Sequence, residues 1–193
     1  MNLSLRTFIA LEMPTDLRSE LISISSRLKE KPGSNMIKWV PVDHIHITLK
    51  FLGNTPSKDV PLIQEVIGKS TNFRKQKILV RDFGAFPNRK KPSVLWIGIR
   101  PDKNLRQLQQ YFEEELNNLG YPLEDRSFKP HLTLGRVKRN ISTHQNELIS
   151  KLLEDNQIKE VGIFNFQNVV FFESQLSKSG AIYKPLFKVK LIN

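Results

Sequence analysis

The chain has 193 residues, 39% hydrophobic and 25% charged, a balance that suits one globular domain spanning residues 1–193. Lysine and arginine total 30 against 19 acids, and the net charge of +11 favours polyanionic partners through counterion release. With no cysteine, disulfides, thiolate metal sites and cysteine nucleophiles are excluded; with no apolar run of membrane-spanning length and no secretory leader pattern, the expectation is a cytoplasmic protein without a membrane partner, monomeric by default.

Arg6 to Leu11 reads as a buried strand ended by Pro14. A helix follows, capped by Thr15 or Asp16, with Leu17, Leu21, Ile24 and Leu28 at helical spacing and a stop at Lys31-Pro32-Gly33. Ile37 to Val40 is a short strand, and Ile45 to Leu52 another, closed by Gly53. Ser57 to Ser70 reads as a second helix, and Lys77 to Phe83 as a strand running into a basic loop, Arg89-Lys90-Lys91. Val94 to Ile99 is rich in β-branched and aromatic residues and reads as a strand. A third helix starts at Pro101-Asp102, carries Leu105, Leu108, Phe112 and Leu116, and ends near Gly120. His131 to Val137 is a strand, Thr143 to Glu154 a helix, and Val161 to Glu173 one long or two short strands. After a turn at Ser177 to Gly180, Ile182 to Leu191 is the last strand. Strands in neighbouring pairs with helices between predict an α+β fold of mainly antiparallel sheet. No glycine-rich phosphate loop follows any strand, which argues against P-loop or Rossmann nucleotide binding.

One pattern occurs twice: His46-Ile47-Thr48-Leu49 and His131-Leu132-Thr133-Leu134. Side chains two apart on a strand share a face, so each histidine stands beside a threonine hydroxyl. The element order around the two copies is also similar, which predicts two similar lobes, each giving one motif strand to a shared groove. Opening a cyclic phosphodiester with water needs a base on one side of phosphorus and an acid on the other. Histidine serves either role, since its ordinary pKa lies near 6.5. Thr48 and Thr133 would donate to the phosphoryl oxygens without adding a charge. Arg136 is a further phosphate ligand if the strand ends or bulges near Gly135; strict alternation would turn it away from His131. A metal alternative, His44 and His46 on one strand face with His131, leaves both threonines unexplained and is set aside, so neither a metal nor another cofactor is expected. His144 falls in a capping region and reads as solvated, and Phe8 and Phe51 read as core.

These motifs resemble those of the 2H phosphoesterase superfamily, and within it the RNA 2′,3′-cyclic phosphodiesterases, also called 2′-5′ RNA ligases. The resemblance covers nearly the whole chain: Arg6-Thr-Phe-Ile-Ala-Leu11, Trp39-Val-Pro41, His46-Ile-Thr-Leu-Lys-Phe-Leu-Gly53, Gly84-Ala-Phe-Pro87, Val94-Leu-Trp-Ile-Gly98, Pro130-His-Leu-Thr-Leu-Gly-Arg136, Glu173-Ser-Gln-Leu-Ser177 and Gly180-Ala-Ile-Tyr183. It implies two pseudo-symmetric lobes around a central groove with helices outside. It also implies hydrolysis of a terminal 2′,3′-cyclic phosphate of RNA to a 2′-phosphomonoester, without metal or nucleotide cofactor. By resemblance, His46 is the proton donor and His131 the proton acceptor, with Thr48, Thr133 and Arg136 on the phosphate. His44 departs from the family pattern, which often has a small polar residue there, and bears on substrate contacts or on the pKa of His46. Ligation through a 2′-5′ bond is the reverse reaction. The basic stretches Arg89-Lys90-Lys91 and Arg136-Val-Lys-Arg139 are placed to guide an RNA backbone. Rival readings are a relative acting on small cyclic nucleotides or 2′-5′ oligoadenylates, and a non-catalytic RNA-binding protein.

Overall fold

The computed structural model describes residues 4–177 and 180–192. Among them are nine strands: β1 (Ser4–Glu12), β2 (Ile37–Trp39), β3 (His46–Pro56), β4 (Gln76–Phe86), β5 (Val94–Arg100), β6 (His131–Val137), β7 (Glu160–Phe166), β8 (Asn168–Ser177) and β9 (Gly180–Lys190). Four α-helices intervene: α1 (Thr15–Lys29), α2 (Val60–Lys69), α3 (Lys103–Asn118) and α4 (Thr143–Asp155). The strands form two sheets, in the orders β3-β1-β8-β9 and β2-β6-β5-β4-β7, and every strand pair is antiparallel. The expected α+β architecture is present. None of the described helices is long and apolar enough to cross a membrane.

The helices follow from their apolar spacing. Leu17, Leu21, Ile24 and Leu28 of α1 are buried, as are Leu105, Leu108, Phe112 and Leu116 of α3. The Asp102 carboxylate accepts from the Leu105 N–H at 2.9 Å and starts α3; Ser142 and Gln145 make a reciprocal capping box for α4. Neither Thr15 nor Asp16 caps α1, because the helix begins one residue earlier, with Pro14 in the extended cap position. Helices α2 and α3 lie on the first sheet, α1 and α4 on the second.

The lobes are not the two halves of the chain. The first sheet takes β1 and β3 from the first half and β8 and β9 from the second; the second sheet takes β2 and β4 from the first half. Each sheet nonetheless holds one motif strand, β3 in the first and β6 in the second. After β1 pairs with β3, its other edge still presents unpaired backbone groups, and β8 from the far end of the chain satisfies them. The repeat survives at the level of strand order: β3-β1-β8-β9 in one sheet corresponds to β6-β5-β4-β7 in the other, with β2 added outside β6.

The larger departures of strand boundaries from the sequence reading involve a bulge or a change of sheet. Strand β3 continues past Gly53, which has φ of 67°, and β4 continues through Asp82, which has φ of 63°, to Phe86. The expected strand from Val161 to Glu173 is two strands in different sheets, broken at Gln167. The second helix is shorter than expected, with single 3₁₀ turns at Ser57–Asp59 and Ser70–Asn72 on either side of α2. The tip of the last turn lies outside the described residues.

Candidate active site

In β3, Ile47 and Leu49 enter the core while His46 and Thr48 are half-buried on the other face; in β6, Leu132 and Leu134 enter the core while His131 and Thr133 are half-buried. Period-two alternation thus aims each histidine and its threonine the same way. Although β3 and β6 belong to different sheets, their Cα atoms come within 8 Å of one another. Among the described residues neither threonine hydroxyl has a hydrogen-bond partner, which leaves both free for a ligand.

The two imidazoles are held alike. His46 Nδ1 lies 2.8 Å from the carbonyl of His44, and His131 Nδ1 lies 2.8 Å from the carbonyl of Lys129. A carbonyl only accepts, so each Nδ1 carries the hydrogen and each Nε2 is left as the proton-transfer atom. The His46 ring stacks on Phe8 at 4.8 Å between centroids and meets Tyr183 edge-on at 5.2 Å. Phe172 stacks on Phe8 at 5.2 Å and lies tilted against the His46 ring at 6.1 Å. His131 meets Phe86 edge-on at 4.9 Å. This aromatic surround went unforeseen, because its members come from β1, β4, β8 and β9.

Burial pushes the His46 imidazole down to about 4; the bond to the His44 carbonyl opposes the shift, and the charges of His131 and His44 add to it. The two motif histidines are therefore close enough to feel each other. Burial also lowers His131, opposed by its bond to Lys129 and aided by the charge of Arg136. His44 affects His46 twice, through its carbonyl and through its charge.

A bulge returns Arg136 to the side of β6 that carries His131 and Thr133. Thr133 faces Trp96 and Gly135 faces Leu95, so Leu134 is an extra residue in β6. Leu134 and Gly135 are both buried, and Arg136 returns to the exposed side. A Cβ at Gly135 would lie 2.5 Å from Ile37 Cγ2, so the bulge needs glycine there. The motif in β3 has the same irregularity: Thr48 faces Ala10 and Lys50 faces Ile9, which leaves Leu49 as its extra residue.

Not every expectation holds. His44 sits in a 3₁₀ turn, Val42–His44, rather than on the strand with His46, and its ring tilts against Tyr183 at 5.4 Å. Among the described residues no three His, Cys, Asp or Glu side chains form a metal-binding group. Phe8 is buried, but Phe51 is 60% exposed and is not core. Arg89 is bound into the fold, donating to the carbonyls of Leu153 and Phe83, and is not available to guide RNA. His144 is exposed, as expected.

Lys50 was missed altogether. It is 2% exposed, and its ammonium donates to Glu113 Oε2 at 2.5 Å and to the Pro122 carbonyl at 2.6 Å. Glu113 also accepts from Gln109 at 2.9 Å and from the Glu124 N–H at 3.1 Å. This buried network ties the first motif strand, at its bulge, to α3. A lysine inside an apolar strand was its only sign in the sequence.

The model of the LigT-like phosphoesterase family matches this chain twice, at residues 11–96 and 97–183. An RNA 2′,3′-cyclic phosphodiesterase of Archaeoglobus fulgidus is 33% identical over 182 residues, covering 94% of this chain and 98% of the relative. One from Methanocaldococcus jannaschii is 30% identical over 180 residues, covering 93% and 97%. Among solved structures, Escherichia coli LigT in its apo form superposes with a TM-score of 0.76 at 21% identity, covering 99% of each chain. A Thermus thermophilus protein reaches 0.81 at 22% identity, covering 96% and 97%. With two family matches that fall one on each His-x-Thr motif, the chain belongs to the LigT-like phosphoesterase family.

Proposed function

We propose that this protein hydrolyses the terminal 2′,3′-cyclic phosphate of RNA to a 2′-phosphomonoester, without a metal ion. The observation that carries the reading is the matched pair of imidazoles, each with Nδ1 bound to the carbonyl two residues before it, on strands that approach across the two sheets. The names of the relatives, and a structure of Escherichia coli LigT with 3′-AMP, support the substrate class.

In the proposed mechanism the substrate phosphate lies between the two motifs. His131 Nε2 takes a proton from water as the water oxygen bonds to phosphorus. The P–O3′ bond breaks, and His46 gives its Nε2 proton to the leaving O3′. Thr48, Thr133 and Arg136 bind the non-bridging oxygens, where charge grows in the transition state. This assignment requires His46 to be charged when substrate is bound. Burial opposes that charge in the free protein, and an anionic phosphodiester beside the ring favours it. With an RNA 5′-hydroxyl in place of water, the same proton transfers form a P–O5′ bond as P–O3′ breaks and leave a 2′-5′ linkage, so ligation is the parallel reaction of the same cyclic end.

Product analysis of an RNA oligonucleotide ending in a 2′,3′-cyclic phosphate tests the reading. A 2′-phosphate product, formed equally with and without a chelator, supports it. A 3′-phosphate product, or loss of turnover on chelation, overturns it. Turnover of mononucleoside cyclic phosphates alone would favour a small-nucleotide enzyme. RNA binding without turnover would favour a non-catalytic binder.

A further inference from the structure

The site is closed on one side and open on the other. Around His46, the rings of Phe8, Phe172 and Tyr183 pack together. Beside His131 a groove of about 520 Å³ runs outward, a volume that suits a small organic ligand. Phe86, Trp96 and Phe128 supply its apolar surface. The Trp96 indole lies against Gly84 and Gly98, where a Cβ would collide with the ring or with the neighbouring backbone. Farther out, the groove is lined by Arg100, Arg106 and Lys129. All three are exposed, and among the described residues none is in an ion pair. The single acid in the lining, Asp82, is paired with Arg81 at 2.9 Å.

A cyclic phosphate ends an RNA chain, so the rest of the chain leaves the site in one direction only. Aromatic faces followed by unpaired cations match a base followed by its phosphodiester. We propose that this groove is the bed for the nucleotides on the 5′ side of the cyclic end. Trp96 and its aromatic neighbours lie along a base, and Arg100 and Arg106 lie against the phosphodiester oxygens. The inference rests on the function proposed above and adds to it where the RNA chain lies and which cations hold it. None of these cations belongs to a basic run.

The test compares kcat/KM for a trinucleotide ending in a 2′,3′-cyclic phosphate with that for the corresponding nucleoside 2′,3′-cyclic monophosphate, across a range of KCl. The unaltered protein is expected to prefer the trinucleotide. Arg100→Gln with Arg106→Gln should cut that preference by roughly tenfold and flatten its log–log salt dependence by about 0.7 per lost phosphate contact. Arg27→Gln with Lys29→Gln, on exposed positions of α1, is the control for net charge and should leave the preference intact. Equal salt dependence for the two substrates, or a preference that survives the groove substitutions, would overturn the inference while leaving the hydrolase reading in place. If neither substrate is turned over, the hydrolase reading falls. Binding of a fluorescein-labelled trinucleotide with a 2′-phosphate end then decides the groove: weaker binding by the double variant supports it, and unchanged binding refutes it.

Discussion

Arg136 and Phe51 hold the same position in the two motif strands: each stands five residues beyond its motif histidine and just past a bulge. The repeat that gives both strands a histidine and a threonine thus diverges here, with a guanidinium on one strand and an exposed ring on the other. Phe51 pairs across the strands with Phe8, yet only Phe8 is buried. Phe51→Ala is therefore expected to change stability by about 0.5 kcal/mol or less. Phe8→Ala should cost about 3–5 kcal/mol and remove the ring on which His46 rests. Urea denaturation of the two variants measures the contrast, and equal losses would contradict it.

Gly135 sets the bulge that turns Arg136 towards His131. A methyl group at Gly135 would press on Ile37 Cγ2 and approach the Lys38 carbonyl at 3.3 Å. Gly135→Ala should cost about 1–3 kcal/mol in stability. It should also weaken phosphate binding, because β2 and β6 must part or the bulge must shift. Calorimetric titration with inorganic phosphate, alongside thermal melts, separates the two effects.

His46→Ala and His131→Ala should each lower kcat by about 10²- to 10⁴-fold, the usual value of one positioned proton transfer. The double variant should lose much less than the product of the two, since acid and base act in one step. Multiplicative losses in single-turnover assays would show that the imidazoles act independently.

The pH dependence follows from the lowered histidines. In the proposed mechanism His46 is charged and His131 neutral; both imidazoles are lowered, so kcat/KM should peak on the acid side of pH 6.5 and fall on further acidification, once both rings are protonated. Stability moves with the same group. The unfolded chain binds a proton on His46 below about 6.5, whereas the folded chain resists it down to about 4. The contribution is therefore complete above pH 6.5 and lost as pH falls towards 4, about 3 kcal/mol at 1.4 kcal/mol per unit. Added phosphate should raise the His46 titration point, and NMR of the ring protons reads it directly.

Lys50→Met strands a buried carboxylate and should destabilise the protein by about 3–5 kcal/mol. Pairing it with Glu113→Leu should recover part of that loss, since no buried charge then remains. The double variant leaves the Pro122 carbonyl and the Glu124 N–H without these partners, so recovery is incomplete. Chemical denaturation of the three variants tests the order.

Local pattern carried much of the fold. Helices α1, α3 and α4 and both motif strands follow from apolar spacing, with side-chain caps at α3 and α4, and these signals act within a few residues. The bulge at Leu134 was legible as a condition, because Gly135 permits it and Arg136 needs it. The exchange of strands between halves was not legible, since pairing depends on edges left open far away in the chain. The aromatic support of His46 escaped for the same reason: Phe8, Phe172 and Tyr183 meet only across paired strands. The run Arg89-Lys90-Lys91 misled in part, because Arg89 spends its hydrogen bonds on the backbone, while Arg100 and Arg106 belong to no run.

The crossing of strands between the lobes also governs how the protein is made. As the chain leaves the ribosome, Phe8 to Leu11 emerge early, yet β8, which flanks them, begins only at Asn168. Until then one edge of that apolar strand has no mate, and the first sheet cannot be completed. Such late closure slows folding and lengthens the time in which nascent chains can stick to one another. Truncation before Asn168 should therefore yield aggregates rather than a working first lobe.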